Sequence, residues 1–516
     1  MRFKFIAAAV GLAVANVAVA DEGMWQPHQL PELESVLKAK GLSIDVESIS
    51  KLTEFPMNAV ISLGGCTASF VSPKGLVVTN HHCAYGSIQY NSTTENNILE
   101  NGFLAKTTGE EVPAAPGSRV FVTEQVTDVT DKVNKGTEKL TGKARFDAIQ
   151  ANEKALVSEC EQDKSYRCNV YTFHGGLEYY LIKSLEIKDV RLAYAPAMGV
   201  GKYGGDIDNW MWPRHTGDFS FYRAYVGKDG KPAEYSEDNV PYQSDAFLKV
   251  SAKGVQEGDF VMVTGYPGST NRYRISPEVD YVFNTAYPLA RKYNSKYVSL
   301  IEENAPEGSE ARIAYESTIA GYNNYIKNYG SMIESFNKGS MYSRKQQFEK
   351  DLTAWINEDS KRKAKYGHVL ADLSALVAQS QEHNQRDRML GYVHRSQMIS
   401  TARRLYRLAY EKQKPDAERE SGYQERDMPR IESRLKSMSR RYDEAVDKAI
   451  LLYFIEQYAA LPKDERVAEV DKALGLTNGF DKQKQKALLD DMYAKSVLAD
   501  ESKRLWMADL DLAQLK

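Results

Sequence analysis

A change in sequence pattern near residue 275 divides this chain into two parts that must fold differently. Before that position, short apolar runs are separated by Gly, Pro and Ser, which is typical of strands joined by turns. After it, glycine is sparse and Lys, Arg, Glu, Gln, Ala and Leu dominate, which favours helices. Because 516 residues exceed what one hydrophobic core supports, we expect a multidomain protein of mixed β and α class.

Residues 21–275 are predicted to form a β-rich domain. The runs interpreted as strands are Ala59–Leu63, Ala68–Val71, Leu76–Thr79, Val120–Val126, Phe219–Val226 and Phe260–Thr264. Many short strands at this spacing favour a barrel or a sandwich. Charged, Ala- and Lys-containing sequence at Asp131–Glu159 interrupts the strands and predicts a helix.

Residues 276–516 are predicted to form a bundle of long helices, with loops near Pro306, Pro415 and Pro462. Two apolar stripes recur at helical spacing. The first consists of Leu370, Leu373, Leu376 and Val377, and the second of Val446, Ile450, Leu451, Phe454, Ile455 and Tyr458. We interpret both stripes as core packing within the bundle rather than as a surface for a partner.

Residues 1–20 have the pattern of a secretory signal. Arg2 and Lys4 supply positive charge, and the apolar stretch Phe5–Val19 follows them. The small residues of Ala18-Val19-Ala20 form a cleavage site before Asp21. A membrane anchor is the alternative, but the apolar stretch is shorter than the roughly 20 residues that a spanning helix needs. We expect a protein exported to the periplasm, with cell-surface association as a further location and with no membrane span.

The composition excludes some classes of function. The chain is 42% hydrophobic and 27% charged, as in ordinary globular proteins. Its formal net charge of -3 gives no basic excess, so no nucleic-acid partner is expected. No sequence pattern predicts a cofactor.

Four cysteines lie in the first part of the chain, at positions 66, 83, 160 and 168. An even number in an exported protein predicts two disulfides, for which three connectivities are open. We expect Cys66 to pair with Cys83, and Cys160 with Cys168, because each bond then encloses a short loop.

A histidine pair lies at the end of a predicted β-hairpin that runs from Gly64 to Cys83. The hairpin delivers His82 to the end of a strand, and a disulfide at Cys83 would fix that end, as a general base requires. The alternative is a metal site that uses His81 and His82, as in a metal-dependent hydrolase. The paired CxxC or HxxxH spacing of common zinc sites is missing, so we expect no metal.

A second polar segment, Gly204–Ser220, ends where the predicted strand Phe219–Val226 starts. A carboxylate at a strand start, well downstream of the histidine, suits the group that orients an imidazole. Asp218 occupies that position. On spacing alone, Asp206 and Asp208 are rivals for the role.

These segments resemble a known family. Thr79-Asn80-His81-His82-Cys83 resembles the T-x-x-H-C signature of chymotrypsin-like serine proteases. Asp208–Phe219 is similar to the D-N-W-x-W-P-R-H-T-G-D-F segment of the S46 dipeptidyl peptidases, types seven and eleven, of Gram-negative bacteria. The resemblance covers Trp25–Gly268 and, more loosely, the helical part. It implies that His82 and Asp218 are catalytic.

The same resemblance implies a role for Asn209 and Trp210 in holding the free α-amino group of an oligopeptide substrate. A side-chain carbonyl such as that of Asn209 can accept hydrogen bonds from an amine. It further implies a chymotrypsin-like barrel over residues 21–275, a helical domain that caps the cleft, and homodimers.

The chain departs from the family in one respect. Members carry a second β-barrel with the nucleophilic serine in a Gly-x-Ser-Gly turn, whereas this sequence is still helical at Lys516. Its nearest counterpart, Gly265–Ser269, lacks a glycine after Ser269 and is expected to be a turn that closes a strand. We therefore expect a serine dipeptidyl peptidase fragment that is inactive alone. The alternative is a non-catalytic periplasmic peptide-binding protein descended from such enzymes.

Overall fold

The computed structural model describes residues 24–268, 271 and 273–515. The predicted signal segment and Ser269 lie outside the described residues. The strands are β1 Val60–Ser62, β2 Thr67–Phe70, β3 Leu76–Thr79, β4 Phe103–Leu104, β5 Val112–Pro113, β6 Val120–Asp128, β7 Tyr166–Phe173, β8 Glu178–Ile187, β9 Asp189–Ala195, β10 Ser220–Val226 and β11 Val240–Pro241. Five of the six predicted strands are confirmed within one or two residues at each end, whereas β7, β8 and β9 were not predicted.

All these strands join one antiparallel sheet. Its order is β4-β9-β10-β3-β2-β1-β6-β8-β7, with β11 paired to β10 and β5 paired to β9. Alternate side chains of β2 and β3 are buried, which is the pattern of strands with one face against a core. Phe70 and Val77 are fully buried there and belong to the core of the β-rich part. The sheet therefore fixes the positions of the residues at its strand ends.

The predicted strand Phe260–Thr264 is wrong. No described strand pairs with this segment, and Val263 is 99% exposed. Phe260 instead packs against the small core formed by Leu42 and its neighbours. An apolar run becomes a strand only when a neighbouring strand forms hydrogen bonds with its backbone. Among the described residues, no strand does so for this segment.

The helices within the β-rich part are α1 Glu34–Ala39, α2 His81–Tyr90, α3 Ile98–Asn101, α4 Thr130–Asn134, α5 Gly142–Cys160 and α6 Met198–Gly201. The predicted helix at Asp131–Glu159 is thus two helices, α4 and α5, with Lys135–Thr141 between them. A left-handed backbone at Gly136 (φ +77°) helps to end the first of them.

From Ser276 onward the chain is helical, as predicted. The helices are α7 Ser276–Tyr281, α8 Tyr287–Asn304, α9 Glu310–Lys338, α10 Met341–Asn357, α11 Ser360–Tyr366, α12 Val369–Gln381, α13 Asn384–Val393, α14 Gln397–Glu411, α15 Met428–Ser437, α16 Glu444–Ala459, α17 Ala468–Ala473, α18 Lys482–Lys495, α19 Glu501–Asp509 and α20 Leu512–Leu515. A π-helical turn, Val282–Ala286, connects α7 to α8. Among the described helices, none is both long and apolar enough to span a bilayer.

The two predicted apolar stripes differ in burial. The stripe on α16 is fully buried and forms the centre of the helical core. The stripe on α12 is not: no residue of that helix is buried, and Leu376 is 60% exposed. The prediction of core packing is therefore wrong for α12, because helical spacing predicts an apolar face without predicting what covers it.

Candidate active site

The N-terminus of α2 presents His82 at an end of the sheet. Strand β3 ends at Thr79, Asn80 keeps an extended backbone (φ −67°, ψ 146°), and α2 begins at once with His81. Cys83 forms the predicted disulfide with Cys66, so the first turn of α2 is covalently fixed to the loop before β2. The predicted bond between Cys160 and Cys168 is also formed.

Asp218 reaches the same edge from the neighbouring strand. Strand β10 pairs with β3 so that Ser220 lies opposite Thr79. Because the strands are antiparallel, the residue before β10 and the residues after β3 meet at one edge. The Nδ1 atom of His82 lies 2.8 Å from Oδ2 of Asp218, and the backbone N–H of His82 donates to Oδ1 at 3.0 Å. The predicted contact between these two side chains is confirmed.

The surroundings keep Asp218 ionised. Its burial opposes the charge, but the hydrogen bonds from His82 and Asn80 and the attraction of the imidazole outweigh this, so the pKa of Asp218 lies below its usual value. The amide of Asn80 donates to Oδ2 of Asp218 at 3.2 Å. A carboxylate on Nδ1 fixes the tautomer that leaves Nε2 as the basic nitrogen. The His82 side chain is 69% exposed, so it is accessible to a substrate.

The rival carboxylates point elsewhere. Asp206 accepts a hydrogen bond from Asn323 of α9 at 2.7 Å. The carboxylate of Asp208 lies against Gly204, where a Cβ atom would come within 2.0 Å of Oδ2. Of the three aspartates considered, only Asp218 contacts His82.

His81 is buried and faces the opposite way. Its Nδ1 lies 3.2 Å from the hydroxyl of Ser220, its ring packs edge-on against Tyr85, and its Nε2 has no hydrogen-bond partner among the described residues. Burial lowers the pKa of His81, which favours the neutral ring. Gly201 lies so close that a Cβ atom there would be 2.7 Å from the ring.

This arrangement does not fit the metal site that was considered as an alternative. Ligand atoms of Cys66, His82 and Cys83 lie within 4.8 Å of one another, but the two sulfurs are bonded to each other and cannot act as thiolates. His81 points to Ser220 rather than into this group.

A loop between α6 and β10 carries the residues predicted to hold a substrate amine. Trp210 has a left-handed backbone (φ 61°) and is 54% exposed. The side-chain oxygen of Asn324, on α9, accepts hydrogen bonds from Nδ2 of Asn209 and from Nε1 of Trp210, both at 3.0 Å. Arg214 donates to the oxygen of Asn209 at 3.0 Å. The sequence analysis missed Asn324, since an asparagine in a long helix gives no local signal.

Comparison with known proteins decides the family. The sequence model described as Peptidase S46 matches residues 20–516. The chain belongs to the peptidase S46 family. The S46 peptidases are serine peptidases, which agrees with the pairing of a histidine with an aspartate at the sheet edge.

Several S46 relatives have names that state an activity. The Asp/Glu-specific dipeptidyl-peptidase of Shewanella putrefaciens is 45% identical over 99% of this chain and 68% of its own length. Dipeptidyl-peptidase 7 of Capnocytophaga gingivalis is 38% identical over 76% of this chain and 55% of its own length. The match therefore spans about two-thirds of the first relative and about half of the second.

A solved S46 structure has the same architecture. The crystal structure of Porphyromonas endodontalis DPP11 in complex with the dipeptide Arg-Glu aligns with a TM-score of 0.76 at 27% identity. The alignment covers 96% of this chain and 71% of that protein. This chain thus shares the combination of an antiparallel sheet with many helices with that protein.

Proposed function

We propose that this S46 peptidase is a serine dipeptidyl peptidase that releases dipeptides from the free N-termini of oligopeptides. The observation that carries the proposal is the 2.8 Å contact between His82 Nδ1 and Asp218 Oδ2. In this role, Nε2 of His82 takes the proton of a serine hydroxyl as the serine attacks the peptide carbonyl. It then gives that proton to the leaving amine. Asp218 orients the ring and stabilises the imidazolium.

The loop anchored to α9 is proposed to bind the substrate N-terminus. Binding the N-terminus at a fixed distance from His82 would place the second peptide bond of the substrate at the catalytic residues. An ammonium group is a donor only, so its recognition requires oxygen acceptors. The side-chain oxygen of Asn209 accepts one hydrogen bond, from Arg214, and retains a second lone pair. The side-chain oxygen of Asn324 uses both of its lone pairs, because it accepts from Asn209 and from Trp210. The exposed ring of Trp210 forms a wall beside them. We propose that Asn209 and Trp210 bind the α-amino group and that Asn324 positions them.

The sheet would be the first barrel of a chymotrypsin-like pair, capped by the helical part. We propose that the serine comes from a second barrel outside residues 1–516, and that these residues alone release no dipeptides. In support, the matched regions of the relatives cover 68% and 55% of their lengths. Among the described residues, the His82 ring hydrogen-bonds only to Asp218. Losing a nucleophile and its oxyanion donors costs orders of magnitude in rate.

For the substrate, we propose oligopeptides in which the second residue from the free N-terminus is acidic. The relative from Shewanella putrefaciens that matches 99% of this chain is named Asp/Glu-specific, and solved DPP11 complexes contain Arg-Glu and Arg-Asp. We further propose export to the periplasm through residues 1–20, a location in which the two disulfides would persist. A homodimer stays a prediction.

The test compares residues 21–516 with the complete product of the reading frame that encodes them. Fluorogenic dipeptides ending in Glu, Asp or Leu serve as substrates, and N-acetylated versions test the need for a free amine. We expect the complete product to cleave the acidic reporters, residues 21–516 to cleave none, and His82→Ala to abolish cleavage. A fluorophosphonate probe should label a serine only in the complete product.

Two outcomes would overturn parts of this proposal. Cleavage by residues 21–516 that disappears in Ser269→Ala would make Ser269 the nucleophile. Tight binding of peptides without cleavage by either polypeptide would favour the peptide-binding protein. Equal cleavage of acetylated reporters would remove the proposed role of Asn209, Trp210 and Asn324.

A further inference from the structure

A cavity of about 270 Å³ lies beside α2, where Cys83, Gly86 and Ser87 line it. The β-rich part lines it with Gly86 and Ser87 of α2, the loop 115–119 and Tyr222 of β10, and the helical part contributes Arg441. The loop is held in place from both sides. The amide of Ala115 donates to the hydroxyl of Ser87 at 3.1 Å, and a Cβ atom on Gly117 would lie 3.0 Å from Ser433 of α15. The cavity is therefore part of a fixed junction between the two parts of the chain.

Arg441 is the unexplained charge in this cavity. Among the residues that the structure describes, its guanidinium makes one long hydrogen bond, 3.5 Å from Nη2 to the carbonyl of Gly86, and its Nε is buried without a partner. No described carboxylate forms an ion pair with it. Burial lowers the pKa of Arg441, as expected for a charge that has lost water without gaining a counter-ion. Arg441 as a whole is only partly buried, and a guanidinium that has no carboxylate partner is available to bind an anion.

The other charges at the cavity do not supply that partner. Arg119 also lines it, and its guanidinium is compensated on the far side by Glu186 and Glu234, each at 3.6 Å. The remaining lining includes the hydroxyl of Ser87, whereas the hydroxyl of Ser118 already donates to the carbonyl of Ala115 at 2.7 Å. Gly86 leaves room for the guanidinium, because a Cβ atom there would lie 3.0 Å from Nη2 of Arg441. The cavity is thus net positive, polar and sterically open at its cation.

We propose that this cavity binds a small tetrahedral oxyanion, of the size of phosphate or sulfate, through Arg441. A planar guanidinium offers two parallel N–H groups to such an anion, a geometry that a spherical ion does not match. The volume accommodates the anion together with several waters. The site is separate from the proposed active site, although both use α2, so its test does not depend on dipeptidase activity.

The experiment measures thermal unfolding of residues 21–516 in inorganic phosphate, sulfate and chloride at constant ionic strength. An anion that binds only the folded state raises Tm along a saturating curve, whereas general salting effects do not saturate. We expect saturating rises with phosphate and sulfate and none with chloride. Arg441→Met should lose the saturating rise, and the exposed neighbour Arg440→Met should keep it. Isothermal titration with phosphate should give 1:1 heat for the wild type and none for Arg441→Met.

A second variant keeps the test decisive if Arg441→Met does not fold. Gly86→Ala places a methyl group against Nη2 of Arg441 and should weaken phosphate binding at least tenfold while the arginine remains. The proposal is wrong if phosphate gives no saturating rise, if chloride gives the same rise, or if Arg441→Met or Gly86→Ala binds phosphate as the wild type does.

Discussion

Two consecutive histidines begin the same helix and have opposite surroundings. His82 is mostly exposed and paired with a carboxylate, whereas His81 is 1% exposed and faces a serine hydroxyl. Successive helical residues point about 100° apart, so one can face the cleft while the other enters the core. His81 packs against Gly201, at the start of the loop that carries Asn209 and Trp210. It therefore buttresses the site without touching a substrate.

The first prediction concerns the buried histidine and pH. Burial lowers the pKa of His81 from its usual 6.5, with a further lowering by His82 and Lys202 and an opposing attraction by Asp218. Below pH 6.5 the unfolded chain binds a proton at this position that the folded chain resists, so stability falls as the pH drops. We expect the free energy of unfolding to fall less between pH 7.5 and pH 5.5 in His81→Asn than in the wild type.

Urea unfolding at the two pH values measures this difference. Asparagine does not titrate and can still hydrogen-bond to Ser220. The variant therefore separates the effect of protonation at position 81 from the loss of this hydrogen bond. An identical pH dependence in both proteins would show that His81 is not the acid-sensitive group.

At the scale of elements, the two disulfides stabilise different local structures. The bond Cys66–Cys83 spans 17 residues and fixes the start of α2, whereas Cys160–Cys168 spans 8 and joins the end of α5 to β7. On the chain-entropy model, removing the first costs about 3 kcal/mol and removing the second about 2.5 kcal/mol. We expect the double serine variants to lose stability in that order.

Equilibrium unfolding of the two double variants checks the order, and each serves as the control for the other. Only the 66/83 variant should also increase the mobility of α2. Faster hydrogen exchange at the amides of residues 81–90 would detect this change. A larger loss from the 160/168 variant, or protection of α2 that is unchanged in both, would contradict this account.

The sequence predicted elements well where the signal was local. Turn residues framed β3, and the long apolar pattern of α16 indicated a core helix. The wrong predictions concern long-range packing, which sequence composition does not encode. Phe260–Thr264 has the composition of a strand, but no described strand hydrogen-bonds to it. The apolar residues of α12 do not pack into a core among the described residues. In the site, sequence motifs indicated His82 and Asp218, but Asn324 acts through a contact 115 residues distant, which no local pattern encodes.

At the scale of the whole molecule, buried ion pairs join the two parts of the chain. Arg167 of β7 donates to Asp427 at 2.7 Å, and Arg426 donates to Glu161 at 2.7 Å. These side chains are 8–19% exposed. Removing one member of a buried pair leaves the other charge without compensation, which costs about 3–5 kcal/mol.

The third prediction follows from this junction. We expect Arg167→Met to lower the free energy of unfolding by about 3–5 kcal/mol and to separate the unfolding of the β-rich and helical parts in calorimetry. Lys228→Met is the matched control, because its 2.9 Å pair with Asp238 is 70–81% exposed and should contribute little to stability. Equal effects of the two substitutions would mean that the junction does not depend on this pair.

The hydrogen bonds from the loop to Asn324 also affect the order in which parts of the chain can fold. During synthesis a chain emerges from its N-terminus, and folding tends to follow that direction. His82 and Asp218, 136 residues apart, can meet once β10 has emerged, but Asn209 must wait for its partner Asn324 on a helix 115 residues further on. A ribosome that paused after β10 had emerged but before Asn324 was made would therefore hold a nascent chain in which His82 and Asp218 are paired and the proposed amine-binding loop is still unanchored.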